Sequence, residues 1–318
     1  VTSTPVLIDS AITLTDVDNS TLSSATVSIT GNFQSSQDVL AFTSSGEIGN
    51  ISGSYSNGVL TLMSLSGTAT VAQWQTALRS VTYTNTSDTP NIANRTISFA
   101  VNDGSSVSNA GTRTVSVAAV NDSPIVTVNG GTTAFTEGNN VTSTPVLIDS
   151  AITLTDVDSS TLVSATVRIT GNFRGDQDVL AFTNNGSSMG DITATYNAGN
   201  AVLTLTSSGG TATVAQWQAA LRAVTYTNTS DTPNTANREI SFAVNDGSTF
   251  SNVGIKTLSF AAVNDSPIVT ASGGTTAFTE GNNTPSTPVL IDIGVTLSDF
   301  YSNTLVSATV SITGGFQG

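Results

Sequence analysis

Short segments of this chain alternate apolar and polar residues, and the residues are mostly Thr, Val, Ile and Ser. A period of two residues is typical of strands that are buried on one face only. In the two clearest segments the apolar positions are Ala25, Val27 and Ile29, and Ile97, Phe99 and Val101. Turn-forming sequences such as SNG, NAGN, NDG and NDSP separate the segments. The pattern predicts an all-β chain of antiparallel β-sandwiches.

One segment has the period of a helix instead. In TVAQWQTALRSV, the apolar residues Val71, Trp74 and Leu78 fall on one helical face, and Thr70 with Gln73 forms a capping-box sequence. The same pattern returns in a later copy of this segment. We therefore predict one short α-helix in each sandwich. The position of the tryptophan on the apolar face favours a place in the core over a carbohydrate-stacking role.

These elements belong to a long internal repeat. Residues 1–18 recur letter for letter at 141–158, and a relaxed copy starts at 286. The sequence NDSP marks the boundaries, because alternating segments end just before it and its proline interrupts a strand ladder. We read the chain as a window on a longer tandem array. The predicted domains are 1–122, a repeat that lacks its first strand; 123–265, a complete repeat; and 266–318, the N-terminal part of a third repeat.

Composition narrows the possible chemistry. The 318 residues include no cysteine and no histidine, so thiol chemistry, disulfides and histidine-based catalysis are excluded. No nucleophile with a base partner can be assembled, and we expect no enzyme activity. The 22 acidic and 8 basic residues give a net charge of −14. This charge disfavours nucleic acid as a partner and favours divalent cations. No apolar run approaches the length of a membrane span.

The acidic residues recur at fixed places in the repeat. Two DVD sequences follow alternating apolar positions, and residues two apart in an extended segment point to the same side. Two carboxylates on one side repel each other unless a cation or a base joins them. Carboxylates set among Asn side chains and loop carbonyls are ligands that calcium prefers. The alternative is that these Asp and Asn residues only form turns. The DVD residues are Asp16, Asp18, Asp156 and Asp158, and the acids that end strands are Asp103, Asp122, Glu137, Asp246, Asp265 and Glu280.

A family resemblance follows from the order of these motifs. The succession FTEGNN, STPVLI, ITLTDVDSSTLVSATV, SFAVNDG and AAVNDSPIV resembles the cadherin-like repeats of giant bacterial surface adhesins, of the VCBS or RTX-adhesin type. The resemblance implies a cadherin- or immunoglobulin-like sandwich and an extracellular place at the cell surface. It also implies calcium at the junctions, where the metal stiffens neighbouring domains into a rod.

The resemblance assigns candidate ligands to each junction. For the first junction they are Asp103, Asn121, Asp122, Asp156 and Asp158. For the second they are Glu137, Asp246, Asn264, Asp265 and Asp299, and Asp16, Asp18 and Glu280 hold matching positions in the flanking repeats. Two features depart from the family pattern. The LDRE-type element has no counterpart, and Tyr301 replaces the second carboxylate of the DVD pair, so we expect weaker or different binding at the second junction.

Three functions are compatible with these observations. The first is a structural array, either the calcium-stiffened stalk of an adhesin or the subunit of a surface filament or sheath. The second is a module that binds glycans, ice or another surface. In the third, which grades into the first, another copy supplies the missing first strand and links subunits into a polymer. The expected partners are neighbouring repeats of the same chain and, by strand complementation, other copies.

Overall fold

The structure is a computed structural model that describes residues 3–315. The first two residues of the first predicted domain and the last three of the third lie outside the described residues. The chain divides into two compact units, Val1–Asp122 and Ser123–Gly318. Strands hold 36% of the residues and helices 7%, which confirms the predicted all-β class with one short helix in each full repeat. No helix in the described part is long and apolar enough to span a membrane.

The first unit is a sandwich of two antiparallel sheets. One sheet has the strand order β1-β6-β3 and the other has the order β4-β5-β2-β7-β8. In chain order the elements are β1 (Val6–Leu7), β2 (Ser24–Gly31), β3 (Asp38–Ala41), a 3₁₀ helix (Gly46–Ile48), β4 (Ile51–Ser56), β5 (Val59–Ser64), α1 (Val71–Arg79), β6 (Thr82–Asn85), β7 (Arg95–Asn102) and β8 (Gly111–Val115).

The second unit repeats this plan and adds strands to it. Its sheets have the orders β11-β17-β14 and β10-β19-β18-β13-β16-β15, with two further pairs, β12-β9 and β20-β21. The elements are β9 (Ile125–Thr127), β10 (Thr132–Thr136), β11 (Val146–Leu147), β12 (Thr153–Thr155), β13 (Ser164–Gly171), β14 (Asp178–Ala181), β15 (Ile192–Asn197), β16 (Val202–Ser207), α2 (Val214–Arg222), β17 (Thr225–Asn228), β18 (Arg238–Asn245), β19 (Gly254–Ala261), β20 (Ile268–Thr270) and β21 (Thr296–Ser298).

The helix begins and packs as its sequence predicts. Thr70 is the N-cap of α1, and both hydrogen bonds of the capping box with Gln73 are present. Trp74 is fully buried and its Nε1 donates to the carbonyl of Leu22 at 3.0 Å. Trp217 in α2 makes the matching bond to Leu162 at 2.8 Å. The tryptophans are therefore core residues that tie the helix to the sandwich.

A buried ion pair lies in the core of each repeat. In the second repeat, Arg238 Nε donates to Asp178 Oδ2 at 2.8 Å, and both side chains are fully buried. Tyr226 and Asn228 donate to the other carboxylate oxygen at 2.5 and 2.8 Å. Asp178 is the first residue of β14 and Arg238 the first of β18, so the pair joins the starts of two strands. The missed signal is that ISFAVN and QDVLAF recur together, with an arginine two residues before the first string and an aspartate inside the second.

The first repeat carries the same cluster, formed by Asp38, Arg95, Tyr83 and Asn85. Burial raises the pKa of Asp38, but hydrogen bonds from Arg95 and Tyr83, with those from Gln34 and Asn85, lower it by more. The net pKa lies below the usual value. This carboxylate is thus held ionised by its partners, as a buried charge requires.

Two strands of the second repeat have no counterpart among the described residues of the first. They close the sandwich of the second repeat. Strand β9 pairs antiparallel with β12, and β10 pairs parallel with β19. Phe135 in β10 is fully buried and packs against Tyr226 and Phe260, with ring centroids 5.2 and 5.0 Å away. In the first unit, β8 ends at Val115 and is exposed along most of its length.

Truncating the closing strand should show how much the core depends on it. We expect Phe135→Ala to destabilise the second repeat by about 3–5 kcal/mol, because it leaves a cavity among aromatic rings. Phe278→Ala is the matched control, since Phe278 has the same sequence context but is 58% exposed in the third repeat. We expect it to change stability by less than about 0.5 kcal/mol. Urea unfolding followed by tryptophan fluorescence measures both, and equal effects would contradict the packing described here.

Breaking one partner of the buried ion pair should cost more than removing an exposed charge. Asp178→Asn leaves Arg238 buried without a counter-charge, so we expect a loss of about 3–5 kcal/mol. Asp176→Asn removes an exposed carboxylate two positions away and should stay within about 0.5 kcal/mol of the wild type. The same urea titration compares the two variants. A loss below about 1 kcal/mol for Asp178→Asn would show that the pair is not an essential core element.

Candidate metal centre

The candidate centre lies in the second unit, where the complete repeat meets the start of the third. Glu137 directly follows β10, and its backbone N–H continues the strand pairing by donating to Ala261 at 3.1 Å. Its side chain turns inward and is 4% exposed. The Oε2 atom accepts a hydrogen bond from the backbone N–H of Val263 at 2.7 Å. The parallel pairing of β10 therefore fixes this carboxylate beside the NDSP linker.

The GNN sequence after Glu137 holds the linker in place. Asp265 is fully buried, and its Oδ1 accepts the backbone N–H of Asn140 at 2.5 Å. Asn140 has a positive φ of 50°, which asparagine tolerates better than most residues. Asn139 donates to the carbonyl of Asn264 at 3.2 Å and accepts the N–H of Ser266 at 3.3 Å. These side-chain bonds join the FTEGNN loop to the linker.

Each buried carboxylate keeps one oxygen without a hydrogen-bond partner. Within the described residues, Oε1 of Glu137 and Oδ2 of Asp265 are buried and accept no hydrogen bond. The buried ion pairs of the described chain involve the core aspartates instead, so no base offsets these two charges. A buried, unpaired carboxylate oxygen is costly. A cation bound at this place would supply the missing partner, and calcium is the cation that such oxygen donors suit.

Tyr301 contributes a hydroxyl where the second repeat has Asp158. Its Oη donates to Glu137 Oε2 at 3.0 Å. Burial, and then the hydrogen bond to Glu137, raises the pKa of Tyr301 to about 12. Oδ1 of Asp299 is used locally: it accepts the N–H groups of Tyr301 and Ser302 at 2.9 and 2.7 Å. Asp299 thus shapes the turn that presents the tyrosine.

The remaining candidates for the second junction have local roles. Oδ1 of Asp246 accepts the N–H groups of Ser248 and Thr249 at 2.6 and 2.7 Å, which is an Asx turn. The Asn264 side chain donates to the carbonyl of Asp265 at 2.9 Å. Glu280 is exposed. The structure therefore brings Glu137, Asn264 and Asp265 together and gives Asp246 and Asp299 to turns.

The DVD sequences differ from the expectation of an extended segment. In both full repeats the chain bends after the first aspartate, and Oδ1 of that residue accepts two backbone N–H groups. The expectation of an extended segment is therefore wrong, because the aspartate forms a turn with its own chain, although the two side chains of each pair still interact. Backbone hydrogen bonds, led by that from Asn19, lower the pKa of Asp16. Burial is the main cause that raises the pKa of Asp156, whose Oδ2 has no hydrogen-bond partner in the described structure.

The first predicted junction draws on residues from both compact units. In the first unit, the Asn19 amide donates to Asp103 Oδ2 at 3.3 Å and to Asp18 Oδ1 at 3.5 Å, so these acids lie together. Asn121 donates to the carbonyl of Asp122 at 2.9 Å. In the second unit, Asp158 donates its N–H to Asp156. Calcium at this junction stays a prediction.

Side chains of Asp and Glu alone do not form a metal cage. No group of three or more Asp or Glu side chains that could hold a metal ion occurs in residues 3–315. A cation at Glu137 and Asp265 would therefore need further oxygens from amides, carbonyls and water. Calcium accepts such mixed ligand sets. Sequence reasoning missed Asn139, Asn140 and Ser266, although the repeated string FTEGNN places both asparagines directly after the acid.

Comparisons with known proteins give distant likenesses. No family model matches the chain. It is 26% identical over 319 residues to halomucin from Haloquadratum walsbyi (strain DSM 16790 / HBSQ001), covering 71% of this chain and 4% of halomucin. The chain thus spans a small part of that relative.

Among solved structures, human CDH23 EC21-23 is 15% identical with a TM-score of 0.29, covering 93% of this chain and 80% of that one. The C-terminal domain of Streptococcus pyogenes AspA is 11% identical with a TM-score of 0.23, covering 74% and 84%. Chicken CNTN1 FN1-FN3 is 6% identical with a TM-score of 0.23, covering 81% and 64%. Likenesses of this size carry no argument about function. The sheets of the chain themselves show tandem β-sandwich repeats.

Proposed function

We propose that this chain is part of an extracellular structural array whose repeat junctions are stiffened by calcium. The observation that carries the proposal is the pair of buried carboxylates at the second junction, Glu137 and Asp265, each with one oxygen that accepts no hydrogen bond from the described residues. Two such charges without a base destabilise the apo junction. A divalent cation would offset both charges at once.

The same residues explain how a cation would act mechanically. Glu137 directly follows the closing strand of the second repeat, Asp265 lies in the linker, and Tyr301 lies at the start of the third repeat. A cation held by the first two would fix the linker against the sandwich. The hydrogen bond from Tyr301 to Glu137 would then connect the fixed linker to the next repeat. Restricted hinge freedom lets an array project as a rod instead of collapsing as a flexible chain.

The small number of charged ligands at this site supports an extracellular location for the chain. Two carboxylates with neutral oxygen donors suit the affinities of about 10⁻⁴–10⁻³ M that extracellular calcium modules have. A site of this kind is filled outside a cell, where calcium is abundant. The role would be mechanical, without catalysis, as an adhesin stalk or as a subunit of a surface filament or sheath.

A glycan- or ice-binding module has less support. Trp74 and Trp217 are the two tryptophans of the chain, and both are fully buried. They cannot serve as stacking platforms for sugar rings without unfolding the helix. A glycan array screen that shows specific binding by the chain would reverse this ranking.

Calcium should stabilise the junction only when its carboxylates are intact. At a calcium concentration about tenfold above Kd, mass action gives about 1.4 kcal/mol of stabilisation. We expect this gain to raise the thermal midpoint of the wild type and of Asp176→Asn, an exposed control, relative to EDTA. Glu137→Gln and Asp265→Asn should lose the gain, because each removes one of the two charges that bind the cation.

Limited proteolysis gives a second readout of the same binding. We expect calcium to slow cleavage in the linker 264–267 for the wild type and to have no such effect in Glu137→Gln. Magnesium at the same concentration is the control for ionic strength. Equal calcium shifts in the wild type and both junction variants, or none in any of them, would contradict the proposal.

A further inference from the structure

Tyr301 stands in the third repeat at the position that an aspartate holds in the other two. The sequences TDVDNS at 15–20 and TDVDSS at 155–160 correspond to SDFYSN at 298–303, so Asp18 and Asp158 are the counterparts of Tyr301. A carboxylate accepts hydrogen bonds, whereas a phenol also donates one. The exchange therefore changes what this side chain offers to a neighbouring acid.

The turn that carries this position is the same in all three repeats. Oδ1 of Asp299 accepts the backbone N–H groups two and three residues later, at 2.9 and 2.7 Å. Oδ1 of Asp156 accepts the corresponding groups at 3.2 and 2.8 Å, and so does Oδ1 of Asp16. The strand before the turn also has the same partner, because β21 pairs with β20 in the register in which β12 pairs with β9. The backbone thus presents residue 301 as it presents residue 158.

The tyrosine hydroxyl reaches the candidate metal centre. Its Oη donates to Glu137 Oε2 at 3.0 Å, and the same oxygen accepts the N–H of Val263 at 2.7 Å. This oxygen therefore has two donors, while Oε1 of Glu137 and Oδ2 of Asp265 accept no hydrogen bond from the described residues. The tyrosine offsets part of the negative charge of the centre without a cation.

The charges around the hydroxyl favour a donor over another acid. Burial raises the pKa of Tyr301 to about 12, together with the hydrogen bond to Glu137 and the negative charges of Glu137, Asp265 and Asp231. The phenol is therefore protonated at neutral pH and keeps its hydrogen to donate. An aspartate on the same turn would bring another negative charge towards these acids and would be repelled. In the absence of a cation, a tyrosine stabilises this contact and an aspartate would oppose it.

We propose that Tyr301 is a latch, whose hydrogen bond to Glu137 holds the start of the third repeat to the second repeat without a cation. Interpreting the latch as a substitute for a cation rests on the calcium role proposed above, whereas the contact itself does not. The second junction is then partly ordered before calcium binds. It also lacks the additional carboxylate that would strengthen calcium binding, because affinity rises with the number of charged ligands.

The test is limited proteolysis of the linker 264–267 in EDTA, with the 318-residue chain and its variants. Cleavage reports the fraction of molecules in which the linker is open. We expect Tyr301→Phe to be cleaved about three- to tenfold faster than the wild type, because it loses a hydrogen bond to a charged group. Tyr301→Asp should be cleaved faster still, since it adds repulsion. Equal cleavage of the wild type and Tyr301→Phe would overturn the proposal.

Tyr55→Phe is the matched control. It also removes a phenol hydrogen bond, which Tyr55 donates to the carbonyl of Asp38 at 2.6 Å in the first unit. Because this bond does not involve Glu137, we expect the linker 264–267 of Tyr55→Phe to be cleaved like that of the wild type. Faster cleavage in both phenylalanine variants would show a general loss of stability and would contradict the latch.

A double-mutant cycle shows whether Tyr301 acts through Glu137. Glu137→Gln keeps an oxygen acceptor and removes its charge, so the hydrogen bond from the tyrosine becomes weaker. The effect of Tyr301→Phe on cleavage in EDTA should therefore be at least about twofold smaller in this background. An effect of the same size in both backgrounds would contradict the latch, because the tyrosine would then act through other contacts.

Calcium separates a failure of the latch from a failure of the calcium role. With calcium in excess over EDTA, cleavage of Tyr301→Asp should slow by a larger factor than cleavage of Tyr301→Phe, because the aspartate adds a charged ligand. If calcium slows no variant but Tyr301→Phe is cleaved faster in EDTA, the latch is supported and the calcium role is wrong. If calcium protects the wild type but Tyr301→Phe behaves like the wild type in EDTA, the latch is wrong and the calcium role is supported.

Discussion

The structure depends on one strand, which closes the edge and the core of the sandwich at the same time. In the complete repeat, β10 adds to β19 by parallel pairing and places Phe135 between Tyr226 and Phe260. The strand that precedes it, β9, covers Gly254 and is held by Asn252. An exposed sheet edge and an open aromatic socket are both unfavourable in water. A repeat therefore has a covered sheet edge and a complete core only when both β9 and β10 are in place.

The same strand also sets up the junction. Glu137 follows β10 directly, and its backbone continues the pairing to Ala261. The carboxylate can face Val263 and the NDSP linker only because the strand before it is in register. One segment, residues 125–140, thus both completes the core and supplies Glu137 to the candidate metal centre. A repeat without this segment lacks part of its core and the acid that would bind a cation at its far end.

Much of the fold could be predicted from local pattern. Alternation located the strands around Val27 and Phe99, and the capping box located α1, because each of these signals acts over a few neighbouring residues. Pairings between distant residues left no such local signal. The parallel contact of β10 with β19 and the ion pair of Asp178 with Arg238 depend on which segments meet in space. The DVD sequence was misjudged because an aspartate can bend its own chain by accepting backbone N–H groups.

Hydrogen exchange of the backbone amides in β8 and β19 tests the role of the closing strand most directly. In dilute wild-type protein, the account predicts strong protection over Thr257–Ala261, where β10 is paired, and faster exchange over Gly111–Val115. Equal protection of the two strands in dilute protein would contradict the account.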